Sequence, residues 1–229
     1  MLLRRLALPL VALTALGLAT TGCADQSAAA KVGDQTLSEN DLMDEVKWYA
    51  DNDALFASAD DRAQVRGDTG TNSYTQQFVG QILQRRVQNM LISQLFENEN
   101  LDLSDGELDQ IRQGIESDQD QGPIFKGFPK AYQDQIVETS AQYSALSDTL
   151  GQDGLPQAFI ELVDKTDIEI SSRYGQWDKD NFLAQLFDPQ NASAPAITPP
   201  AGPIANPEDD GSGSSGSGSD SGSLEIPQG

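Results

Sequence analysis

The chain has 229 residues, with 14 Lys and Arg against 36 Asp and Glu and no His, giving a formal charge of −22. The lack of imidazole excludes a Ser-His-Asp or Cys-His nucleophile, a His general base and a His metal ligand. A single Cys excludes an internal disulfide, and the acidic balance, with no basic aromatic-interleaved stretch against it, argues against nucleic-acid binding.

Residues 1–22 read as a secretory signal: Arg4 and Arg5 precede an apolar Ala/Leu-rich run over 6–21. That run falls short of the about 20 residues a membrane-spanning helix needs. It closes on Leu18-Ala19-Thr20-Thr21-Gly22-Cys23, which resembles the lipobox of bacterial lipoproteins, with Thr20 where that motif usually has Leu. Cys23 is accordingly the expected lipid-attachment residue, carrying palmitate-type acyl chains. Each buried CH₂ contributes about 0.8 kcal/mol, so several chains on one residue give a stable anchor on the extracytoplasmic face of the cell membrane. Loss of Arg4 and Arg5 with the signal takes the charge from −22 to −24.

Residues 23–30 read as a short linker and 31–187 as one mainly α domain with a small β element. Lys31 to Leu37 spells strand, Gly33-centred turn, strand. Ser38 is an N-cap, with Asp41 three residues on, for a helix through Leu42, Val46 and Tyr49 that ends near 51–53. The polar stretch 57–73, with Gly67 and Gly70, reads as a loop with room for helical turns. Over 74–99 the residues Val79, Leu83, Val87, Leu91 and Leu95 recur at i+4, predicting one long helix with a wide apolar face. Ser104 and Glu107 form a fuller capping box for a short helix bearing Leu108, Ile111 and Ile115.

Residues 119–130 carry Gly122, Pro123, Gly127 and Pro129 and read as a loop holding Ile124, Phe125 and Phe128. A helix over 130–150 is stopped by Gly151, and another starts at Leu155-Pro156. The alternation over 166–171 is a strand, which Arg173-Tyr174-Gly175-Gln176-Trp177-Asp178 closes with a turn. Residues 188–229, Pro-rich and then Gly/Ser-rich and acidic, read as a disordered tail.

Within this order the segment from Val32 to Leu42 resembles the opening of the SurA-type periplasmic chaperones. The long helix leading through Glu97-Asn98-Glu99-Asn100-Leu101 to the Ser104 cap is similar to the family's next segment. Ile168 to Asp178 resembles the strand and Arg-Tyr-Gly-x-Trp-Asp ending of its lipoprotein members, with Ser171-Ser172 where relatives often have Asn-Pro. The resemblance implies a SurA N-terminal-like domain in which the first strand pairs with the late one, and a protein that holds unfolded or nascent secreted polypeptides. It also implies that Gly33, Arg173, Tyr174, Gly175 and Trp177 are structural. The parvulin-type prolyl isomerase domain many members carry has no room within 119–164, so isomerase activity is not expected.

Carboxylate clusters such as Asp51, Asp53, Asp60 and Asp61 lack any context that distinguishes a catalytic pair from a solvated acidic face. No window has the Asp-x-Asp/Asn-x-Asp/Asn-Gly spacing of a calcium loop. No catalytic residue, metal or cofactor is assigned. Candidate peptide-binding residues are Trp48, Tyr49, Phe56, Phe125 and Phe128, large side chains at helix edges or in loops. A core role is the competing reading for each. Three functions stay open: a lipid-anchored chaperone-like protein, a cell-envelope scaffold lipoprotein binding one specific partner, and an enzyme using paired carboxylates.

Overall fold

The structure, a computed structural model, describes residues 27–56, 65–66, 73–187, 195–200 and 204–205. It is mainly helical, with a small antiparallel sheet that joins early and late parts of the chain. Strands β1 (Ala28–Val32) and β2 (Gln35–Ser38) form a hairpin whose turn places Gly33 at a φ of 57°, in the left-handed region that favours glycine. On its other edge β1 pairs with β4 (Ile168–Ile170), in the register Ala30 to Ile170 and Val32 to Ile168. The Gly33 N–H donates to the Asp167 carbonyl and the Ser171 N–H to that of Ala29, closing both ends of the ladder. Ala29 and Ala30 are buried in the core, so the linker expected over 23–30 gives way to strand from Ala28.

Ser38 caps α1 (Glu39–Asp51) by accepting the Asp41 N–H at 3.1 Å. At the far end Asn52 accepts the Ala54 N–H and donates to the Ile124 carbonyl, tying α1 to the segment around 121–128. After the two-residue strand β3 (Ser73–Tyr74) comes α2 (Gln76–Asn98). Its stripe Val79, Leu83, Val87, Leu91 and Leu95 is buried, and so are Ile82, Met90, Ile92 and Phe96 on other sides. A helix apolar on more than one face must have several neighbours. Here they are α1, β1, the short strand Ile197–Thr198 and the long helix Lys130–Lys165, and Gln94 adds a hydrogen bond to the Val32 carbonyl at 2.6 Å.

The Ser104–Glu107 capping box is complete and opens α3 (Asp105–Ser117). The stretch expected as a loop holds the six-residue helix α4 (Gln121–Lys126). Helix α5 (Lys130–Lys165) consists of two helical stretches joined at Gly151, where φ and ψ of 72° and 175° break the helix, with Pro156 early in the second. The break at Gly151 therefore lies where the sequence puts it.

Two elements depart from the sequence reading. Beyond β5 (Gln176–Trp177) runs α6 (Lys179–Phe187), opened by Asp178, which accepts the Asn181 N–H at 2.9 Å. Two pieces of the segment expected as disordered tail, residues 195–200 and 204–205, lie against the domain. Strand β6 (Ile197–Thr198) pairs with β5, and β7 (Ile204–Ala205) pairs with β3. Ala196 and Ile197 are 0 % and 2 % exposed. Two buried apolar residues and the main-chain pairing fix this part of an otherwise polar, Pro-rich segment. Of the rest of 188–229, only residues 195, 199 and 200 lie within the described residues.

Candidate functional site

Of the residues chosen for a groove from their size, Trp48, Tyr49 and Phe128 gather around Tyr132, mostly inside the helical packing. Tyr49 and Phe128 are buried with ring centroids 4.8 Å apart, and Tyr132 packs edge-on against both. Phe125 is buried beneath the Arg112 guanidinium. These three candidates, Tyr49, Phe125 and Phe128, are therefore core residues and not groove lining. The reason is that α4 folds back under α1, which the Gly and Pro content of 119–130 disguises as an open loop. Trp48 and Phe56 are half-buried, and Trp48 leans on Tyr132 at 5.2 Å.

Beneath the aromatic cluster lies a charge that sequence reasoning missed. Glu45 is 2 % exposed. Its carboxylate accepts the Tyr132 hydroxyl at 2.5 Å and pairs with Arg86 Nε at 3.2 Å. Burial raises its pKa above the ordinary value even though Arg86, Tyr132 and Arg85 pull it down. The Tyr132 hydroxyl also reaches that of Tyr49 at 3.0 Å, and Arg85 donates to Tyr49. Burial and the adjacent Glu45 push the Tyr132 phenol upward. Spacing held a signal for this pair: Glu45 stands three residues after Leu42 and four before Tyr49, on the buried face of α1.

The closing segment clamps the start of α1. Arg173 Nη1 pairs with Glu39 Oε2 at 3.1 Å across 134 positions of sequence. Tyr174 is buried, its hydroxyl pushed up to about 12 by burial and then by Glu39. Gly175 has a φ of 134°, and half-buried Trp177 packs on Phe182 at 4.8 Å. Cys23 lies outside the described residues.

The chain was compared with protein-family models, with curated proteins and with solved structures, and none matched. Function therefore rests on the chain's own chemistry. Among the described residues there is no group of three His, Cys, Asp or Glu side chains placed to hold a metal ion, and no helix long and apolar enough to cross a membrane.

Two clefts open on α5. One, of about 150 Å³, lies against α2 and is lined by Gln35, Arg86, Asn89, Met90, Ser93, Gln135, Glu138 and Thr139. The other, of about 210 Å³, lies under α3, with Leu103, Ile111, Ala141 and Ala145 as apolar lining and Glu107, Gln110, Ser144 and Asp148 at its polar positions. Ala141 and Ala145 sit one turn apart on α5 and leave the space a larger side chain would fill. Helix α3 has no fully buried residue: Leu108, Ile111 and Ile115 are all half-buried. Tyr143, Ile160 and Phe187 add exposed apolar surface at 49 %, 40 % and 40 %. None of these residues lies among the large aromatics that sequence reasoning favoured, because the cleft is made by small side chains.

Proposed function

We propose that this chain is a lipid-anchored, extracytoplasmic protein of chaperone type that holds unfolded or partly folded secreted polypeptides by binding, without isomerase activity. The observation that carries this reading is the α3–α5 cleft. A helix seated by a half-buried apolar stripe over two alanines offers a shallow cleft of mixed apolar and polar lining, with the carboxylates of Glu107 and Asp148 beside Leu103 and Ile111. Such a surface suits weak, replaceable contacts with extended apolar segments, and the flanking charge limits self-association. The signal-like N-terminus and the ordered resemblance to SurA-type chaperones support the same reading.

The chain from Ala24 to Gly229 is expected to suppress aggregation of a chemically unfolded client near one-to-one stoichiometry. Ile111→Asp in the cleft should weaken that suppression several-fold while leaving the helical circular dichroism intact. A peptide of residues 206–229, tested alone, controls for simple acidic solubilisation. A folded protein without suppression rejects general chaperoning and leaves binding of one specific partner. For the anchor, labelling of cells with radioactive palmitate should mark the unmodified protein and not Cys23→Ser. Equal labelling of the two would overturn lipidation.

A further inference from the structure

We infer that residues 195–200 and 204–205 are a displaceable occupant of a peptide seat, and that an extended segment of a client polypeptide takes this seat by β-strand addition. The inference deepens the polypeptide-binding reading and rests on it.

The seat has a main-chain part and a side-chain part. Strand β5 offers its backbone to β6, with Trp177 opposite Ile197 and Gln176 opposite Thr198, and the Asp178 N–H donates to the Ala196 carbonyl at 2.8 Å. Further along, β3 takes Ile204 and Ala205 opposite Tyr74 and Ser73. Both pairings are only two residues long. The side-chain part admits Ala196 and Ile197, while Pro195, Thr198 and Pro200 stay exposed. The bound pattern is therefore a small and a β-branched residue between residues that resist helix, held mainly through backbone. That is how β-augmentation sites recognise extended peptides, with affinity from main-chain hydrogen bonds and selectivity from shallow side-chain pockets.

The wall of the seat is shaped for a backbone. Gly175 presents no Cβ where the Thr198 carbonyl passes, and a Cβ there would lie 2.9 Å from the Thr198 carbonyl carbon and closer still to its oxygen. The occupant is preorganised as well. Pro195, Pro199 and Pro200 fix φ and supply no N–H, so the segment is extended before it docks and little entropy is lost on seating.

The Ala196 and Ile197 side chains and a few main-chain hydrogen bonds are a modest hold, strong enough in cis because a tethered segment competes at millimolar effective concentration. A client segment must displace it, which lowers the apparent affinity of the intact chain by the fraction of time the seat is open. A client rich in apolar, uncharged extended stretches meets both requirements.

The test uses a fluorescein-labelled peptide of residues 195–205 and the chain from Ala24 to Gly229. Anisotropy should show the peptide binding Ile197→Asp protein at least about tenfold more tightly than unmodified protein. A peptide carrying the same Ile197→Asp change should bind neither. Should Ile197→Asp protein not fold, Ile197→Ala keeps the backbone pairing, shortens only the side chain, and should show a smaller shift in the same direction. Equal affinities, or no binding by folded variants, would overturn the inference. Concentration-dependent dimerisation of unmodified protein that Ile197→Asp abolishes would make a second copy the strand donor and would also overturn it. Peptide binding without aggregation suppression keeps the seat and removes the chaperone reading; suppression without peptide binding does the reverse.

Discussion

Arg86→Met is expected to destabilise the folded chain by about 3–5 kcal/mol, more than Glu45→Gln, although the two residues form one ion pair. The asymmetry follows from where each charge sits. Glu45 is enclosed, with a side chain 3 % exposed, whereas that of Arg86 keeps 17 % exposure at the edge of the α2–α5 cleft. Removing the cation leaves a buried carboxylate with the Tyr132 hydroxyl and the weaker, more distant pull of Arg85. Removing the carboxylate leaves a guanidinium that still reaches water, and a Gln oxygen can go on accepting from Tyr132. Urea denaturation of both variants measures the difference, and equal losses would show that the pair, not the stranded carboxylate, sets the cost.

The same carboxyl gives a pH dependence of defined sign. Its folded pKa is raised, chiefly by burial, so the folded state holds the proton more tightly than the unfolded chain does. The contribution of Glu45 therefore falls as pH rises from the ordinary value of 4.5 through the folded value. Asp51 and Asp134, held low by Lys and Arg partners, act in the opposite sense: their contribution is present above 3.8 and is lost as pH falls through their lowered values. Subtracting the Glu45→Gln curve from that of unmodified protein isolates the Glu45 slope. Unmodified protein should lose ground to the variant as pH climbs above 4.5, and a flat difference would contradict the burial of the charge.

Local chemistry was the legible part of this fold. The caps at Ser38 and Ser104, the break at Gly151 and the stripe on α2 each depend on residues within a few positions of one another, so spacing reveals them. The pairing of β1 with β4 was reachable only through the resemblance, since nothing local joins Ala30 to Ile170. What stayed hidden depends on distant partners. Phe125 and Phe128 look like loop aromatics until Asn52, 72 positions from Ile124, draws α4 under α1. Helix α6 had a readable start in Asp178 with Asn181 and a readable face in Phe182, Leu183 and Leu186, which the resemblance to a closing turn obscured. The cleft under α3 escaped because large side chains draw the eye, whereas Ala141 and Ala145 make space by being small. Ile197 was lost in a composition averaged over 188–229, where one aliphatic residue weighs little until a seat for it exists.

Gly175→Ala should separate that seat from ordinary backbone strain. At a φ of 134° an alanine is strained by about 1–3 kcal/mol whatever surrounds it. The new methyl would also strike the Thr198 main chain and come within 3.1 Å of Ile197 Cγ2. Neither neighbour is the free end of a flexible side chain, so β6 has to leave β5 or the turn at 172–175 has to rearrange. Gly33→Ala is a comparison at a milder site, since its φ of 57° lies in the left-handed region an alanine can adopt at lower cost and its nearest neighbour is the end of the Gln94 side chain, which can swing aside. Gly175→Ala should therefore cost clearly more than Gly33→Ala and shift the fluorescence of Trp177, opposite Ile197, with exchange protection lost at Asp178 and kept along α2. If β6 were not held against β5, only the dihedral penalty of Gly175→Ala would remain, and Trp177 fluorescence and exchange protection at Asp178 would match those of unmodified protein.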